Sequence, residues 1–171
     1  MADYHSPTIV RPDIPRSAMT LLEHRLLIGM FSFEGEEDAI YFFAEDYVND
    51  LLHLRVSEVL WLMQSDPNPD PASYASRTVS EALDKLDPGE DELALDMSVI
   101  GYDDIFQDIV RRCDALDDVE VVTAWTCTKM RPDGFGGMAT LITADAIASM
   151  NTGTFLEEAR ARIKDGVAPK S

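Results

Sequence analysis

The chain of 171 residues is short of positive charge: four lysines and ten arginines stand against thirty-two Asp and Glu, a formal net charge of −18. A field of that sign repels nucleic-acid phosphate and anionic lipid, so direct nucleic-acid or membrane-surface binding is not expected. Long apolar runs are missing as well. None approaches the ~18–20 residues that cross a bilayer, and the first fifteen residues have no basic flank leading into an apolar stretch. The expectation is a cytoplasmic protein. Two cysteines, Cys113 and Cys127, allow at most one disulfide, and a chain this long can bury enough surface without one, which favours free thiols. The three histidines, His5, His24 and His53, are far apart, and none sits one helical turn from another ligand. Missing too are a phosphate-binding loop ending in Gly-Lys-Ser/Thr, a Gly-x-Ser-x-Gly elbow and a His-Glu-x-x-His pair. Asp66, Asn68 and Asp70 begin like a calcium loop, but Pro71 stands where glycine is needed and Arg77 where a bidentate glutamate is needed. No metal and no cofactor is expected.

What is present is the composition of one folded domain, 46% hydrophobic and 27% charged, without a repeat or a low-complexity tract. The negative charge is concentrated in the middle. Residues 34–70 hold ten acids and one base, and residues 81–120 hold fourteen acids and three bases. The first 33 residues are neutral, and residues 121–171 have five acids and six bases. Solubility, or adaptation to salt, explains such an excess; so does a negative face that meets a basic partner.

Local patterns divide the chain further. An arm punctuated by Pro7, Pro12 and Pro15 precedes a buried helix that Ser17 or Thr20 can cap, running from Leu21 to Phe31. Residues 39–44, Ala-Ile-Tyr-Phe-Phe-Ala, have the length and composition of a central strand. A short helix follows from Ser57, broken by the alternating prolines 67, 69 and 71. Helical spacing returns over 72–86, strand alternation at Leu93, Leu95 and Met97, and an amphipathic helix from Tyr102 to Cys113. Residues 119–129 and 137–143 read as a hairpin, and Thr154 with Glu157 as the capping box of a last helix that ends at Gly166. The expected fold class is α+β: an extended arm over residues 1–16, a single domain over 17–166 with an antiparallel or mixed sheet of about four strands covered by helices, a C-terminal β-hairpin followed by a helix, and a loose tail over 167–171.

Two candidate sites emerge. The acids Glu36, Glu37, Asp38, Glu45, Asp46, Asp103, Asp104 and Asp108 are candidates for an acidic interaction face, although nothing in their order singles out a pair for acid and base catalysis. The segment from Lys129 to Gly137 places Lys129, Arg131, an aromatic and the glycines Gly134, Gly136 and Gly137 at a hairpin tip beside Cys127. Converging amides and two bases there can hold an anion or ligand, and a plain Pro-Asp-Gly turn explains the same residues.

The strings FQDIVRRC (106–113) and TCTKMRPDGFGGMATLITADAI (126–147), with YFFAE (41–45), resemble a small family of uncharacterised acidic bacterial proteins associated with plasmids and other mobile elements. The resemblance implies a context of host-defence resistance or element maintenance and carries no activity or site residue with it. The leading expectation is a non-enzymatic acidic protein that engages a basic protein partner, for instance as an anti-defence or nucleic-acid-mimicking accessory. The alternatives are a small enzyme or anion-binding protein using the hairpin tip, and a homodimer or larger homo-oligomer with Phe135 or Tyr47 at its interface.

Overall fold

Ten residues from Asp118 to Cys127 alternate between the inside and the outside of the molecule, and the rest of the fold is arranged around them. The structure, a computed structural model, describes residues 2–35 and 38–165. In chain order the strands and helices are β1 (Tyr4–His5), β2 (Thr8–Arg11), β3 (Ile14–Pro15), α1 (Leu21–Met30), β4 (Ser32–Glu34), β5 (Ala39–Ala44), β6 (Leu51–Arg55), α2 (Val56–Ser65), α3 (Tyr74–Leu83), β7 (Glu92–Asp96), α4 (Tyr102–Arg112), β8 (Asp118–Cys127), β9 (Gly136–Thr143), β10 (Ile147–Asn151) and α5 (Thr152–Lys164). Eight strands form one sheet with the main order β10-β9-β8-β2-β5-β3, while β1 pairs with β8 and β4 with β5. Every pairing is antiparallel, and β6 and β7 form a separate two-stranded ribbon.

The α+β class and the hairpin followed by a helix are as the sequence predicts; the sheet is twice the expected size. The extra strands are β1, β2 and β3 of the arm, β4 and β10, whereas the expected strand around Leu93 and Leu95 leaves this sheet and pairs with β6 in the ribbon. The proline-rich arm is extended, but as strands of the sheet rather than an appendage: Pro7 and Pro12 bracket β2, which lies between β8 and β5. Leu52 and Leu54 turn inward between the exposed Leu51, His53 and Arg55, a short alternation that makes β6. In β10 the first four residues are exposed, so no alternation marks it.

The core lies on one face of the sheet. Ile105, Phe106, Ile109 and Val110 of α4 pack down on Val119, Val121 and Ile142, and α1 contributes Leu22, Leu26, Leu27 and Met30. Four rings, Phe31, Phe42, Tyr102 and Phe106, meet there with centroids 5.3–6.3 Å apart, mostly edge to face. On the opposite face the alternate residues of the same strands, among them Ile9, Ala139, Leu141 and Met150, stay exposed.

Caps set the helix boundaries. Thr20, not Ser17, starts α1: its hydroxyl accepts from the Glu23 amide at 3.1 Å, and the Glu23 carboxylate accepts from the Thr20 amide at 2.9 Å. Helix α3 is shorter than 72–86, because Ser73 caps its start and a tighter turn through Lys85 and Leu86 closes its end. For α5 the expected Thr154–Glu157 box is replaced by Asn151, whose side chain accepts from the Thr154 amide at 2.9 Å and starts the helix three residues earlier. Asparagine is the stronger N-cap of the two. The expected end at Gly166 and the tail over 167–171 lie outside the described residues.

The helical layer is tied together by charged contacts, Arg25–Glu58 between α1 and α2 and a more buried one at Glu23. Glu23, fully buried, receives Arg112 from the last turn of α4 at 2.5 Å, and the same guanidinium reaches Asp70 of the α2–α3 loop at 2.7 Å. Burial opposes the Arg112 charge, but the hydrogen bond and charge of Glu23, then those of Asp70, outweigh it and hold the Arg112 pKa above its ordinary value. Arg111, one residue earlier, lies half exposed against Asp108. Arg112→Ala is expected to cost about 2–3 kcal/mol in chemical denaturation, below the ~3–5 kcal/mol of a fully buried pair because water reaches Arg112. Arg111→Ala should cost under ~1 kcal/mol. Equal losses would contradict the assignment of Glu23–Arg112 as a tie.

Candidate functional site

The acids on α4 are used by the fold. Asp103 and Asp104 occupy its first turn, where the helix dipole favours negative charge. Asp108 is largely buried; its Oδ2 accepts from the Tyr74 amide at 2.5 Å and its Oδ1 from Arg111 at 3.0 Å, so it fixes the start of α3. Asp103 has a buried Oδ1 without a hydrogen-bond partner. Burial first, then the neighbouring charge of Asp104, raises its pKa, and the adjacent Tyr102 is pushed up to about 12 by burial and then by Asp103. Asp38 and Glu45 are exposed at the two ends of β5, and Asp46 pairs with His5 at 2.8 Å. Glu36 and Glu37 lie outside the described residues. Of the six candidates in the described residues, Asp108 is an internal anchor, Asp103 is partly buried with one oxygen unpartnered, and Asp38, Glu45 and Asp46 are exposed.

A dense run of exposed acid among the described residues lies at 81–96, within the acidic middle of the chain but at none of the eight candidate positions. Residues 81–96 carry seven acids and one base, Lys85. They form the end of α3, the turn at Asp87–Pro88–Gly89 and strand β7, and all seven acids are exposed. The turn is built for that place: Gly89 has φ +102°, which glycine adopts without strain, and the space around it is open. Leu93 and Leu95 bury the inner face of β7, so Glu92 and Asp96 are turned outward. The Ser98 hydroxyl, then its amide, donate to Asp96 and lower its pKa, keeping that charge through neutral pH. The signal was available as a run of acids at turn and strand positions, but the strand's outward register is what exposes it.

The hairpin tip is a turn whose glycines have packing roles. A Cβ on Gly134 would collide with Cys127, and one on Gly137 would come within 2.7 Å of the Thr123 carbonyl oxygen. Lys129 and Arg131 are exposed, whereas Cys127 is buried under the turn. A hollow that takes in Gly136 and Gly137 includes neither base. Lys129, Arg131 and the three glycines share one turn, in which Gly134 and Gly137 are held by close packing.

The histidines and the calcium-like run have local partners. His53 lies 2.8 Å from Glu92, and His24, half-buried, has its pKa lowered to about 4 by burial, then by Arg16 and Arg25. Asp66 accepts from the amides of Leu21 and Asn68, and Asp70 from Ala72 and Arg112. Among the described residues no group of three His, Cys, Asp or Glu side chains converges as a metal site, and no helix is long and apolar enough to cross a membrane.

The raised Asp103 pKa has a signed consequence for stability. A carboxyl whose folded pKa exceeds its unfolded value of 3.8 contributes stability below pH 3.8 that is lost as pH rises through the folded pKa. Asp103→Asn should therefore raise the melting temperature at pH 7, and the gain should shrink towards zero below pH 3.8. A melting temperature lowered at pH 7 would show that the carboxylate has a stabilising partner.

No known protein family, curated protein or solved structure matches this chain.

Proposed function

We propose that this is a non-enzymatic acidic interaction protein, acting in the cytoplasm, that engages a basic protein partner. The mobile-element context implied by its sequence resemblance makes an anti-defence or nucleic-acid-mimicking accessory the specific version of that role. The observation that carries the reading is the exposed acid of residues 81–96, seven carboxylates and a single lysine around one turn and one strand. Such a surface raises the local concentration of a cationic partner and speeds encounter, and its attraction falls with salt. The titratable groups with altered pKa fit the same reading. Asp103, Tyr102 and His24 are each explained by burial and then by the charge of immediate neighbours, Asp104 for the first, Asp103 for the second, Arg16 and Arg25 for the third.

The test is capture of the partner at ~0.1 M and ~1 M salt, where the screening length falls from roughly 10 to 3 Å. A basic protein held at low salt should be released at high salt. Changing Asp87, Glu90 and Asp91 together to lysine, all exposed and outside the core, should weaken its binding about tenfold or more at low salt, which corresponds to ~1.4 kcal/mol or more. A partner whose affinity ignores both the salt and the three substitutions would contradict the proposal.

A further inference from the structure

The face of the large sheet away from the core is apolar at its centre, with charged residues, among them Arg11, Glu34, Asp118 and Glu120, towards its ends. Strand pairing lines up Phe43, Ile9, Val122, Ala139 and Met150 in one row across five strands, each directly opposite the next. The next row runs from the Arg11–Glu120 ion pair to Leu141 and Ala148. Two adjoining hollows of about 420 and 520 Å³ share Val122, Ala139 and Met150, and Phe155 of α5 borders the second. Antiparallel sheets commonly leave one face to water, but that face is then polar.

Two further features lie beside it. Strand β10, paired only with β9, ends the sheet with the sequence Ile-Ala-Ser-Met-Asn, which has none of the charges or prolines that normally blunt an edge. Helix α5 buries none of its thirteen residues, and Phe155, Leu156 and Ile163 are 51%, 44% and 69% exposed. A helix of that length is marginal in water without packing.

We propose that this face, with β10 and α5, is where a second copy of the chain docks to form a two-fold dimer. Charge selects that occupant. Residues 34–120 carry a net −19, so two copies repel each other through most of their surface, whereas residues 136–164 hold three acids and three bases. The central row of the face, from Phe43 to Met150, carries no charge that would attract a basic partner. A two-fold contact sets the same patch against itself, which the uncharged row from Phe43 to Met150 allows without placing like charges opposite one another. The size fits. At ~4.8 Å per strand and ~3.4 Å per residue, five strands present about 24 by 20 Å, and α5 brings the patch to about 700 Å², close to the ~800 Å² per partner of a standard interface. Phe135 and Tyr47 are not needed for it.

Sedimentation equilibrium of the full chain tests this, with Leu141→Glu and Phe155→Asp as variants; both side chains are exposed, on the sheet and on the helix, and circular dichroism checks folding. The wild type should have the mass of two chains, and each variant should weaken the dimer about tenfold or more. Raising salt to ~1 M should leave the dimer intact or tighten it, the opposite of binding through the acidic residues 81–96. A wild type that stays monomeric at its highest soluble concentration overturns the proposal, whether the face is bare or filled by a small apolar ligand. A dimer that both variants leave unchanged, or that dissolves in high salt, overturns it as well.

Discussion

Strands send alternate side chains to opposite faces, so a sheet with its helical layer on one side must leave every second residue of its central strands on the other. The remaining features of this molecule follow from that constraint. Helices α1 and α4 cover the core face, where Val10, Val119, Val121, Ile142 and Phe42 are buried. The contact of Arg112 with Glu23 and Asp70 joins α1, α4 and the α2–α3 loop into one layer. The β6–β7 ribbon closes the far side of that layer with Leu52, Leu54, Leu93 and Leu95. Only α5 remains for the second face, and it touches just β9 and β10 among its main neighbours.

The surplus acid is distributed by the same logic. Burying an unpaired carboxylate is costly, and Glu23 and Asp108 are paired with Arg112 and Arg111, while Asp103, whose buried Oδ1 has no partner, has its pKa raised instead. The others are driven to turns and to the outward register of short strands, most densely in residues 81–96. The broad faces of β8 and β9 are left free of acid apart from Asp118 and Glu120 at one end. The result is a molecule with two kinds of surface, one electrostatic and one apolar, built from different parts of the chain.

How far the sequence reveals this depends on the strength of each local signal. The stripe Ile105, Phe106, Ile109 and Val110 and the run Ala39–Ala44 are periodic or apolar enough to be unambiguous, whereas the start of α1 is open between Ser17 and Thr20 until the reciprocal bonds of Thr20 and Glu23 decide it. The strands of the N-terminal arm were legible only as extended chain, because two to four residues between prolines carry no period; their pairing with β5 and β8 is a long-range fact. β10 has no alternation to read. Among the candidate residues, Asp108 looks like any solvent-facing acid of an amphipathic helix until the Tyr74 amide is placed against it. Gly134 and Gly137 suggest an anion loop until Cys127 and the Thr123 carbonyl fill the space above them. Charge totals were readable from the chain, but which carboxylates share a surface was not.

The central claim is that the chain engages partners through two separate surfaces. Amide hydrogen exchange, measured on the dilute chain, on the concentrated chain and on the chain with its basic partner at low salt, tests it most directly. Concentration is expected to protect residues 136–164 and leave 81–96 unchanged, while the partner protects residues 81–96. Protection of the same segment in both conditions, or of neither, would contradict the account.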